Sequence, residues 1–317
     1  MLEGYDMSKK EQRPTKDEHF VSVFYLSNFL KPDGMIQAYN IQKGNFFPAH
    51  PEDICYEKHL YESPKVKNPR EDEDFIAVNS IEKEFSANEN KYKQLVAKIV
   101  SVCSIPANID ALVCNTEEKD LLADFVANMF VRSKWMLDKN RATFVNLCSE
   151  FLKNDDDWNF FCDKCSDGNE GALIDSIAVR NLLSTQIENS LHSCVKNIIR
   201  KMSPTFCYSP HCNFITSDFP ILLHSEKIEH KTFLKCLYLP IHPRCAVMLC
   251  CYKPNNHKNR IKYFAKEETA DFNSMYLDSM DDTVHQLYAV DIDDIEKTLK
   301  NKNKKLVQEK NERSTFN

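Results

Sequence analysis

The chain has 317 residues, 42% hydrophobic and 11% aromatic, enough for one large domain or two modest ones with a substantial core. Its net charge of −6 gives no general attraction for nucleic acid, although a local basic groove stays open to it. With only 5 glycines (Gly4, Gly34, Gly44, Gly168, Gly171) there is no Gly-rich phosphate loop, no dinucleotide fingerprint and no nucleophile elbow.

Residues 1–16 are polar and charged, lack an apolar leader and read as a disordered tail. HFVSVFYLSNF (19–29) is apolar and aromatic and is closed by a turn at Pro32-Asp33-Gly34. MIQAYNI (35–41) reads as a strand, with Lys43-Gly44-Asn45 as the next turn. A Pro- and charge-rich surface loop is expected over 62–75. Four helices follow. The first runs from Ser80 to Cys103. The second starts at NTEE, where Asn115 and Glu118 fit a capping box, and runs to Leu137. The third covers 140–153 and the fourth 170–202, ended by Ser203-Pro204, with KNDDDW and Asp167-Gly168 as the loop between them.

The texture then changes to short β-rich segments, TFCYSPHCNFITSDFPILLHS, FLKCLYLPIHP and RCAVMLCCYK. KEETADFNSMYLDSMDDTVHQLYA reads as helical and leads to a charged helix and tail. The expected class is α+β, a helical middle packed on a mostly antiparallel sheet in a single large domain over 17–298, with a charged tail at 299–317. The segments near 35–41, 205–224 and 234–252 are expected in one sheet covered by the helices of 80–202. No apolar run reaches the length needed to span a bilayer, and 13 irregularly spaced cysteines point to reduced thiols in a cytoplasm.

Several polar residues fall where apolar ones are expected. Glu82 and Glu89 share a stripe with Phe85, Tyr92, Val96 and Ile99. Arg132 shares one with Leu121, Phe125, Met129 and Met136 and needs an anionic partner. Asn273 lines up with Tyr276, Met280, Val284 and Leu287. His19 opens an apolar stretch, where it serves either as a capping or core histidine or as a general base. In NFITSDFPILL, the Thr-Ser-Asp triplet interrupts a strand pattern, so Asp218 either makes an Asx-turn or stands at a pocket mouth. One reading of the set is a buried Arg–Glu pair and a hydrogen-bonded Asn that fix helix packing. The other is a polar pocket.

Two weaker constellations exist. Cys162-x-x-Cys165 with Cys207, His211 and Cys212 has zinc-like spacing in its first half only, and the long helix between the halves argues against structural zinc. Asp218 with Glu229-x-Lys231 imitates a metal-dependent nuclease, although SEKIEHK also reads as a polar hairpin tip.

In order along the chain, HFVSVFYLSNF, MIQAYNI, Leu60-Tyr61, Ile81-Glu82 with Glu89, Arg132, Thr216-Ser217-Asp218-x-Pro220, Leu239-Pro240-Ile241 and Asn273 resemble the motifs of a bacterial family, domain of unknown function 4238, over roughly 17–290. Departures are Ser22 for the family's Pro, Phe219 for the Asn after Asp218, and Arg132-Ser133-Lys134 for Arg-Thr-Pro. The resemblance implies an uncharacterised cytoplasmic bacterial protein and supplies no activity. The polar residues found by pattern are those the family motifs contain.

Two functions follow as expectations. In one, His19, Glu82, Glu89, Arg132, Asp218 and Asn273 line a pocket that hydrolyses a phosphoester, nucleotide or nucleic acid, with Arg132 clamping an anion and the carboxylates serving as base or as ligands of a divalent metal. In the other, the protein is non-catalytic, and the polar set is a structural network or a receptor for a small anionic ligand.

Overall fold

A computed structural model describes residues 17–66, 79–109, 111–155, 157–228, 231–251, 260–278 and 284–302. The chain enters through strand β1 (Asp17–His19) and a short helix α1 (Val23–Leu26). Strands β2 (Ile36–Asn40) and β3 (Asn45–Ala49) form a hairpin, and β4 (Tyr56–Lys58) returns to pair antiparallel with β1. Gly44 at φ +64 lets the hairpin close, with its N–H donating to Asn40 O at 2.8 Å.

The helical middle contains α2 (Ser80–Cys103), α3 (Thr116–Val131), α4 (Lys134–Leu152), α5 (Trp158–Ser166), α6 (Glu170–Leu183) and α7 (Leu191–Ile199). The Asn115–Glu118 capping box starts α3, as expected. Three helix boundaries differ from the sequence reading. The helix expected to reach Leu137 stops at Val131, because Ser133 turns extended and caps a new helix by accepting the Met136 N–H. KNDDDW is followed at once by α5 where a loop was expected. The single helix expected over 170–202 is broken at Ser184–Ser190. There the Ser190 hydroxyl donates to Ser184 O at 2.7 Å and accepts the Ser193 N–H at 3.1 Å, so side chains replace helical bonds.

The β-rich part supplies β5 (Ser203–Tyr208), β6 (Thr216–Ser217), β7 (Leu222–Ile228), β8 (Lys231–His242), β9 (Cys245–Cys250) and β10 (Arg260–Tyr263). After them come α8 (Lys266–Asp278), β11 (Gln286–Ala289) and α9 (292–302). The expectation of one sheet is corrected. A five-stranded sheet runs β10-β5-β9-β8-β7, antiparallel except for β10 with β5, and a separate four-stranded sheet runs β3-β2-β11-β6. Of the segment expected over 205–224, only the two residues of β6 reach the smaller sheet, where they pair with β11. The turn after Ser217 then sends the chain into the larger sheet. The helical reading of HQLYA is also corrected, since Gln286–Ala289 pairs with both β2 and β6.

Both sheets bury their inner faces in one core. Ile36, Ala38 and Tyr288 of the smaller sheet pack in the same cluster as Phe206, Leu239 and Val247 of the larger, against Tyr92, Val96 and Ile99 of α2 and Phe125 and Met129 of α3. This is a single α+β domain. Residues 1–16 and 303–317, and most of the loop expected over 62–75, lie outside the described residues. Among the described residues no helix is long and apolar enough to cross a membrane.

Candidate functional site

The corner between α3 and α4 is pinned to both strands of the β1–β4 ribbon. Arg132, the last residue of the α3 side, is buried and donates through Nε to His19 O at 3.2 Å and through Nη2 to the same oxygen. Its guanidinium carbon lies 4.5 Å from the centre of the Phe85 ring, and Nη1 is 3.9 Å from Glu89 Oε1. Lys134, two residues on, reaches Glu57 on β4 at 3.0 Å and Asp138 at 3.3 Å. Tyr61 adds a third bond to His19 O at 2.8 Å.

Carboxylates crowd this arginine. Glu18 is fully buried; its Oε2 accepts the Tyr61 N–H at 2.6 Å, while Oε1 has no partner. Burial, helped by the charges of Glu62 and Glu82 and opposed by the Tyr61 amide, pushes its carboxyl up to about 7. Burial also raises Glu62, Glu82 and Glu89, and Arg132 opposes the shift at the last two. Glu62 and Glu82 each carry a buried oxygen without a hydrogen-bond partner. Burial disfavours the charged form of each of these carboxyls, and Arg132 offsets that at Glu82 and Glu89 alone. The ring of His19 takes a different role from its backbone. Nε2 donates to Glu52 O at 3.2 Å, the ring rests on Tyr56, and burial lowers its pKa.

Asp218 stands elsewhere. The turn after β6 is made by its neighbour: Ser217 Oγ donates to Phe219 O at 2.6 Å and accepts the Phe219 N–H at 3.1 Å. The Asp218 carboxylate is thereby free to clamp the start of β11. It accepts the His285 N–H at 3.0 and 3.2 Å through its two oxygens and the Gln286 N–H at 3.2 Å. Burial raises it to about 6 against the pull of those amides. It borders a cleft of about 190 Å³ walled by Phe20, Lys134, Trp135, Phe219 and His285. Phe219, where the sequence departs from the resembled pattern, packs on Trp135 with ring centres 5.5 Å apart.

Asn273 is a bracket on α8. Its Oδ1 accepts the Ile215 N–H at 3.1 Å and its Nδ2 donates to Asn213 O at 2.9 Å. It also borders a wider groove of about 430 Å³ with Lys266, Lys297 and Lys300.

The six residues singled out in the sequence therefore occupy three places. Glu82, Glu89, Arg132 and the backbone of His19 meet at the α3–α4 corner, Asp218 opens on the cleft, and Asn273 holds the segment before β6. Arg132 does not line the Asp218 cleft. Glu18 and Glu62 were missed because DEH and YES look like ordinary solvated sequence. The one available signal was adjacency to His19 and Tyr61. Glu84 was missed as well. It is buried and accepts bonds from the Ser184 hydroxyl at 3.0 and 3.1 Å and from the Thr185 N–H at 2.6 Å.

Among the described residues no three His, Cys, Asp or Glu side chains stand close enough to hold a metal ion. Cys162 and Cys165 pack with Trp158 and Leu173, whereas Cys207 belongs to the cluster around Phe214 and Phe272. Glu229 lies outside the described residues.

A family model described as "Protein of unknown function (DUF4238)" matches residues 18–289. No curated protein and no solved structure matches the chain.

Proposed function

We propose a function from the site itself, because the chain belongs to the DUF4238 family of proteins of unknown function, which supplies no activity. The protein is a hydrolase that acts on a phosphoester of nucleotide type in the Asp218 cleft. The observation that carries this reading is a carboxylate raised to about 6 that opens on a cleft with an aromatic wall and a lysine. Such a carboxyl exchanges protons near neutral pH and suits a general acid or base. Trp135, backed by the buried Phe219 ring, offers a stacking surface for a base, and Lys134 and His285 offer donors for a phosphate oxygen. A cleft of about 190 Å³ takes a group of ring size, which favours a nucleotide or a strand end over a duplex.

Arg132 has no part in substrate binding here. Its Nε and Nη2 donate to His19 O, and its Nη1 faces Glu89, whose charge repels an anion. The second reading, a non-catalytic receptor for a small anionic ligand, is favoured by the Asp218 carboxylate, which already accepts backbone N–H bonds through both oxygens.

The test is a screen of nucleotides and short oligonucleotides for hydrolysis, with added Mg²⁺ or Mn²⁺ and with chelator, alongside Asp218→Asn and Trp135→Ala. Asn keeps an Oδ1 that accepts both amides but turns an NH₂ donor toward the His285 N–H where Oδ2 accepted it, so its stability should fall by about 1–2 kcal/mol. Loss of turnover in Asp218→Asn with the fold intact, and a raised KM in Trp135→Ala, support the hydrolase. Asp218-dependent binding without turnover selects the receptor. Turnover untouched by Asp218→Asn rules the cleft out.

A further inference from the structure

β8 and β9 form the inner hairpin of the larger sheet. Cys236 and Cys250 are directly opposite in the antiparallel register. Their Sγ atoms lie 2.7 Å apart, much closer than two sulfurs that merely pack. The Cys251 N–H donates to Lys235 O at 2.9 Å, which makes 235/251 a hydrogen-bonded pair and therefore 236/250 a non-hydrogen-bonded one. In such a pair the Cα atoms are about 4.5 Å apart, inside the span of about 4.4–6.8 Å that a disulfide bridges without moving backbone. Both thiols are half-buried, so a small oxidant reaches them, and Cys251 beside them is exposed.

We infer that Cys236 and Cys250 form a reversible cross-strand disulfide that locks β8 to β9 when the protein meets a peroxide-class oxidant. The step balances. Peroxide oxidises one sulfur to a sulfenic acid and leaves as water. The second sulfur attacks, the S–S bond forms, the S–O bond breaks, and the thiol hydrogens depart in a second water. A dithiol reductant restores both thiols by exchange. Burial and the adjoining Cys236 push the Cys250 thiol up to about 12. The exposed Cys251 points away from the pair by the alternation of the strand and is not the partner.

The full chain is treated with hydrogen peroxide, blocked with an alkylating reagent, digested without reduction and analysed by mass spectrometry, next to Cys236→Ser, Cys250→Ser and Cys251→Ser. The expected result is one linked peptide joining 236 to 250, abolished by dithiothreitol and by either of the first two substitutions and retained in the third. Oxidation should also raise Tm in the unsubstituted protein and leave Tm unchanged in Cys250→Ser. Full alkylation of both residues after peroxide treatment, or a link through Cys251 in their place, overturns the inference.

Discussion

Replacing Glu18 by glutamine should stabilise the protein at alkaline pH and leave it nearly unchanged in mild acid. Glu18 is fully buried, and its carboxyl is raised to about 7 from an ordinary 4.5. The folded state therefore holds the proton more tightly than the unfolded one. That contribution is complete below about pH 4.5 and is lost as pH rises through about 7. A shift of about 2.5 units corresponds to about 3 kcal/mol of stability lost across that window. Gln keeps an oxygen for the Tyr61 N–H. It also puts an NH₂ donor where Oε1 has no partner, near the carboxylates of Glu62 and Glu82. Urea unfolding at about pH 5 and about pH 8 measures both proteins. The unsubstituted chain should lose stability between the two conditions, and Glu18→Gln should flatten the loss and gain about 1–3 kcal/mol at the higher pH. Equal destabilisation of Glu18→Gln at both values would refute the reasoning, because it would mean that the native carboxylate is ionised and fully satisfied.

Arg132→Met leaves Glu82 and Glu89 without their cation and should cost about 3–5 kcal/mol. Arg132→Lys keeps the charge but loses the planar cover of Phe85, so it should cost less than Arg132→Met; equal losses for the two would show that charge plays no part. Asn273→Ala strands the buried Ile215 N–H and the Asn213 carbonyl, and should cost about 2–4 kcal/mol by thermal or urea unfolding. Asn273→Asp keeps the acceptor alone and should fall between Ala and the unsubstituted chain.

Local patterns carried the sequence reading as far as local physics reaches. The stripe that put Arg132 among core residues was sound because a helix period fixes which side chains share a face, and Arg132 is buried against carboxylates of α2. The same period misled at Met136, since a single serine cap at Ser133 ended one helix and began another inside an unbroken apolar pattern. It misled again at Leu287, which lies in a strand. Glu18 could not be recognised, because its burial comes from the pairing of β1 with β4, some forty positions away. Asp218 was recognised as a break in a strand, but its partners at His285 and Gln286 have no local signature. The chain satisfies that carboxylate with backbone amides.

On a ribosome, β2 emerges roughly 250 residues before β11, about 10–50 s at ordinary synthesis rates. During that interval β2 can zip onto β3, but its other edge stays open, and the two residues of β6 have no partner at all. The Asp218 carboxylate likewise waits for amides not yet made. The smaller sheet is thus a late event in biogenesis, whatever the helices have already accomplished. A chain stopped short of Gln286 exposes an apolar strand edge and a buried-type carboxylate together. Such a nascent chain closes its smaller sheet only once four residues, Gln286–Ala289, have been made.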